Sequence, residues 1–154
     1  MLILAAALIG VIAGLRAMTA PAAVSWAAAL GWIDLSATPL AFLGYHWVPF
    51  VFIALAVIEL ITDQLPSTPS RKVPQQFGAR LISGGLCGAA IGAAGGMLLV
   101  GLIAGVIGAV IGTLGGAAAR ARLAGAFGKD LPAALIEDVV AVVGAYLIVT
   151  AARS

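Results

Sequence analysis

Charge is what this chain has least of. Eight Lys and Arg and six Asp and Glu make up 9% of its 154 residues, while 63% are hydrophobic. Soluble domains carry roughly 25% charged and about 45–50% apolar residues, so this composition cannot cover a water-facing surface. The net charge is only +2 and the basic residues form no stripe, which argues against a nucleic-acid partner. The single cysteine, Cys87, lies in a Gly/Ala run and has no internal partner for a disulfide. The single histidine, His46, stands beside Trp47 and reads as an anchor at the membrane–water interface. With no metal-ligand cluster, nucleophile–base set or phosphate loop in the sequence, the expectation is a protein that is not an enzyme and uses no cofactor or metal.

Long apolar runs take the place of charge. A membrane-spanning helix needs about 20 such residues. Five stretches qualify: Leu2–Trp32, Trp47–Leu65, Ala79–Val100, Gly101–Ala119 and Leu131–Ala151. They predict an all-α integral membrane bundle of about five transmembrane segments, a single domain over residues 1–154, with the lipid bilayer as its surroundings. The first stretch is too long for one straight span and is interrupted by Gly14, Arg16, Thr19 and Pro21. It is either a kinked helix or two half-helices meeting inside the membrane. The turn between the third and fourth stretches is expected from Gly95-Gly96 to Gly101. Residues 2–14 imitate a secretory signal, but no Lys or Arg precedes them, so cleavage is not expected.

Two loops hold the positive charge, Pro66–Pro74 with Arg71 and Lys72, and Arg120–Lys129 with Arg122. The positive-inside rule places both on the cytoplasmic side, and two spans lie between them. The Asp34 loop, Ile33–His46, and the C-terminus then fall outside.

Glycine dominates the second half. Gly84, Gly88, Gly92 and Gly96 recur every four residues, as do Gly108, Gly112 and Gly116, with Gly101 and Gly105 just before. This spacing puts small residues on one helix face, where backbones can approach closely in lipid. Packing of the third helix on the fourth is the first reading; a subunit interface and a pore-lining face are the alternatives. A homo-oligomer, with a dimer favoured, is the expected assembly.

Two pairs of segments match within the chain. Gly14-Leu15-Arg16 with Thr19 resembles Gly78-Ala79-Arg80 with Ser83, and Ala56-Val57-Ile58-Glu59 resembles Ala134-Leu135-Ile136-Glu137. They suggest repeat halves over 1–70 and 75–154, the second carrying an insertion, and internal repeats recur in transporter folds. The same residues are the charges within the apolar stretches: Arg16, Glu59, Asp63, Arg80, Glu137 and Asp138. A charge at the bilayer centre costs at least about 2.5–3.5 kcal/mol, so these groups should face the bundle interior and pair. Either they are ion pairs that only hold helices together, or they line a polar pathway, with arginines attracting an anionic group and a carboxylate carrying a proton.

The motifs Gly14-Leu15-Arg16-Ala17, Ile58-Glu59-Leu60-Ile61-Thr62-Asp63-Gln64-Leu65-Pro66 and Leu135-Ile136-Glu137-Asp138-Val139 resemble a bacterial family of small multi-pass membrane proteins catalogued as domain of unknown function 4126. The likeness covers nearly the whole chain. Where that family has Asp-Lys-Ile-Pro, this chain has Asp63-Gln64-Leu65-Pro66, so no role of that lysine carries over. The resemblance implies a bacterial inner-membrane location and no particular activity. The leading expectation is a small transporter or channel of unspecified substrate; the alternative is a structural or accessory membrane protein.

Overall fold

The protein is described by a computed structural model covering residues 1–62 and 74–153. Its elements are α1 (Leu2–Leu15), α2 (Thr19–Ala29), a short 3-10 turn (Ala41–Gly44), α3 (Val48–Thr62), α4 (Pro74–Ala94), α5 (Leu98–Phe127) and α6 (Asp130–Ala151). No strand occurs among the described residues.

Proline and glycine set the boundaries. Pro21, Pro49, Pro74 and Pro132 all fall in the first turn of a helix, where the missing N–H would have had no partner anyway. Pro21 also explains the break after α1. Its ring excludes a helical carbonyl four residues back, at Ala17, and Arg16 is extended (φ −142°, ψ 111°). The α4–α5 turn occupies Gly95–Met97, with Gly96 left-handed at φ +74°. Gly96 is therefore a turn residue, not the packing glycine that its spacing suggested. The expected basic loop at Arg120–Lys129 is also corrected. Ala, Arg and Leu favour helix, so α5 continues to Phe127 and stops only at Gly128, φ +71°. Arg120 and Arg122 ride on that last part of α5, which at 30 residues is about 45 Å long against a hydrocarbon core of about 30 Å.

Glycines bring three helices together. A Cβ on Gly88 would lie 2.7 Å from the Cα of Gly105, one on Gly101 2.7 Å from the Cα of Gly92, and one on Gly84 2.6 Å from the Cβ of Ala109. Such separations exclude any side chain, so α4 and α5 touch backbone to backbone. Gly108 and Gly112 meet a different helix than expected: their Cβ atoms would lie 2.9 Å from the backbone of Val11 in α1. The stripe on α5 thus fills the cleft between α4 and α1, and α1 answers with Gly10 and Gly14. Gly116, further along α5, is half-buried.

The same contacts fix directions. α1 runs parallel to α5, since Gly10 meets Gly105 and Gly14 meets Ala109. It runs antiparallel to α6: Ile12 meets Gly144, while Met1 and Leu4 share a depression with Leu147, Ile148 and Ala151. α2 runs parallel to α6, from Arg16 beside Asp138 to Trp32 beside Arg153. Hence α1 and α2 are antiparallel. The first apolar stretch is a hairpin of two half-helices that enters the bundle and returns to the same end. That end also carries the Asp34 loop, in which the backbone N–H and hydroxyl of Ser36 donate to Asp34 at 3.0 and 2.6 Å and hold its carboxyl below the ordinary range.

Helices α4, α5 and α6 are long and apolar enough to cross a membrane. Their outward faces are apolar too: Leu99, Ile103, Ile107 and Ile111 make an exposed ridge on α5, and Val139, Val143 and Leu147 one on α6. Ridges of this extent have no place in water. The protein is a membrane-embedded helical bundle.

Candidate functional site

The tip of the α1–α2 hairpin, Arg16-Ala17-Met18, lies inside the bundle. Arg80 and Glu137 each stand six or seven residues into α4 and α6, about 10 Å from the end of their helices. At that depth the open backbone groups of the tip need partners, from the protein or from water in a cavity.

One set of side chains supplies them. The Glu59 carboxylate, from the last turn of α3, accepts the N–H of Ala17 at 2.7 Å and of Met18 at 2.6 Å. It sits where the first N–H groups of α2 converge, the positive end of that helix. The opposite end of the turn is the carbonyl end of α1. There Arg80 Nη1 donates to the Gly14 carbonyl at 2.8 Å, and Thr113 Oγ1 from α5 reaches the same oxygen at 3.4 Å. Ser83 donates its hydroxyl to the Ala17 carbonyl, the acceptor orphaned by Pro21. Arg80 and Glu59 also face each other at 3.8 Å.

A second set pairs side chain to side chain. Arg16, fully buried, donates through Nε to Asp138 Oδ1 at 2.7 Å, and its Nη2 reaches the same oxygen. Its Nη1 lies 3.8 Å from Glu137 Oε1, and Arg120 Nη1 lies 3.8 Å from Glu137 Oε2. Among the described residues, Arg16 from the α1–α2 break, Glu59 from α3, Arg80 from α4, Arg120 from α5, and Glu137 and Asp138 from α6 thus meet around one hairpin tip.

Of the residues expected from sequence, Arg16, Glu59, Arg80, Glu137 and Asp138 come together here. Asp63 lies outside the described residues. The pairing crosses the matched segments, since Arg16 faces Glu137 and Asp138 while Arg80 faces Glu59. Their settings differ, however: Arg16 stands in a break and Arg80 within a helix, and Glu59 closes α3 whereas Glu137 lies near the start of α6. Sequence reasoning assigned Arg120 to a loop and passed over Thr113. Thr113 was findable as the one hydroxyl in the apolar run of α5. Arg120 required knowing that the helix continues past Ala119.

Searches of curated proteins and of solved structures return no match. The family model described as Domain of unknown function (DUF4126) matches residues 3–153, a span that contains the hairpin and all the residues named at its tip. The chain belongs to the DUF4126 family.

Proposed function

We propose that this protein is a small multi-pass transport protein of the bacterial inner membrane, and that the charges at the hairpin tip form its translocation site. One observation carries the reading: a broken helix pair ends inside the bundle at a cluster of ionisable side chains, six of them among the described residues. Non-helical backbone at membrane depth is tolerated where it is packed in protein or lines a water-filled cavity. Half-helix ends directed at a midplane site are how secondary transporters bind charged solutes. Arg16 and Arg120 attract an anionic group, or counterbalance the carboxylates of Glu137 and Asp138. Glu59, Arg80, Ser83 and Thr113 anchor the tip. The positive-inside rule, applied to Arg120, Arg122 and Lys129, puts the nearer end of the bundle in the cytoplasm. The end bearing Trp32 and Asp34 then faces outward.

The runner-up is an accessory membrane protein whose charges only fix the hairpin. The direct Arg16–Asp138 bond and the two backbone bonds of Glu59 favour it. Water access separates the two. In a Cys87→Ala background, Met18→Cys in liposomes should react with a charged, membrane-impermeant methanethiosulfonate. A Met18→Cys thiol that stays unmodified while Ser36→Cys reacts readily would overturn the transport reading in favour of the accessory one.

A further inference from the structure

α3 leans on α2 and stands off from α6. A groove of about 420 Å³ remains between these helices, open to the outside of the bundle. Its walls are Ala23 and Trp32 on the α2 side, Val57 on α3, and Val142 and Tyr146 on α6, with Thr19 at the inner end. The groove follows α2, whose 11 residues make about 16 Å. That matches the roughly 15 Å that an acyl chain fills in one leaflet of a core about 30 Å thick.

The outer end of the groove has a different chemistry. Trp32 belongs to the lining there, and the guanidinium of Arg153 lies 5.3 Å from its ring centroid. Arg153 is exposed, and no carboxylate among the described residues pairs with it. A planar cation held over an interfacial tryptophan, at the mouth of an apolar slot one leaflet deep, matches a lipid phosphate followed by a chain.

We infer that this groove binds one anionic phospholipid, with an acyl chain between α2, α3 and α6 and the phosphate on Arg153. The inference needs only the membrane setting of the bundle and not the transport reading. The lipid fills the gap that keeps α3 from packing on α6. It also brings the end of its chain to Thr19, next to the hairpin tip.

Native mass spectrometry of the full chain in detergent, titrated with phosphatidylglycerol or with phosphatidylcholine of the same chains, tests this. One phosphatidylglycerol per protomer should bind, preferred over phosphatidylcholine by about fivefold, the effect expected of one basic residue at a lipid headgroup. Arg153→Gln, at an exposed position, should remove the preference and leave chain binding. Ala23→Trp should abolish binding of both lipids, and Val57→Trp, on the more exposed wall, serves if the first variant folds poorly. Equal binding of the two lipids by wild type, or unchanged binding by a folded groove-filling variant, would refute the site. So would a Val57→Cys disulfide between two copies in a lipid-free dimer, which would make the occupant a second chain.

Discussion

Replacing Glu59 by Gln tests whether the hairpin tip is held as described. The substitution keeps the shape of the side chain and removes its charge. Of the two backbone N–H groups now accepted at 2.7 and 2.6 Å, the amide can serve one. The other faces an NH₂ donor, and Arg80 loses the carboxylate 3.8 Å away. A hydrogen bond to a charged group is worth about 1.5–3 kcal/mol, and stranding one partner of a buried ion pair about 3–5 kcal/mol. The side chain of Glu59 is 13% exposed and its contact with Arg80 is loose, so the two effects together should come to roughly 2–4 kcal/mol at partial screening. For a chain of this size that lowers the melting temperature by roughly 5–15 °C. Cys87 provides the readout. It is 1% exposed in α4 and should react with a thiol-sensitive fluorogenic maleimide only as the bundle opens. Adding Arg80→Met should lower the melting temperature further, because the Gly14 carbonyl then loses its donor at 2.8 Å. A Glu59→Gln melting temperature within 2 °C of wild type would refute the clamp, whatever the function of the protein.

The same thermal assay applies to the glycine seam. Gly105→Ala should destabilise by about 1–3 kcal/mol, the usual effect of overpacking, because its Cβ would lie 2.9 Å from the Cα of Gly88. Gly115→Ala has nothing within 4 Å and should be neutral or stabilising by up to about 1 kcal/mol through helix propensity; equal effects at both positions would count against backbone contact. Sidedness tests the hairpin: in a Cys87→Ala background, cysteines at Ser36 and Arg153 and a tag at the N-terminus should be reached from one side, and a cysteine at Gly125 from the other. A tag on the Gly125 side would mean that residues 2–32 cross the membrane once.

The parts of this fold that were legible in the sequence are those where one residue type forces one outcome. Apolar runs declared helices, Gly95-Gly96 declared a turn, and glycine spacing declared close faces. The charges were legible because an ionised group in an apolar run has few permitted places. What could not be read was pairing between helices. Gly108 and Gly112 looked like a continuation of the α4 contact, yet α1 takes them, since a glycine stripe does not name its partner. The direction of α2 was hidden for a similar reason. Pro21 and Arg16 require a break, but a kink and a reversal satisfy that requirement equally, and only contacts such as Trp32 with Arg153 decide it. The end of α5 is hidden because the charge of Arg120 and Arg122 points to a loop, although Ala and Arg are good helix formers.

The polar side chains at the hairpin fall into two sets. Glu59, Arg80, Ser83 and Thr113 bond to its backbone, at the N–H of Ala17 and Met18 and the carbonyls of Gly14 and Ala17. The contacts of Arg16 with Glu137 and Asp138, and of Arg120 with Glu137, run side chain to side chain. Packing alone does not require them, because apolar residues of similar volume often replace a buried ion pair without loss of stability. Each of these four positions nevertheless had apolar alternatives, and charged side chains within membrane-spanning segments are rare because they are expensive to insert. The two sets therefore have different roles. Substitutions in the Glu59 set should act on folding first, whereas apolar replacement of whole pairs in the Arg16, Arg120, Glu137 and Asp138 set should be tolerated by the fold. That difference is what ties the transport reading to these four residues and not to the tip as a whole.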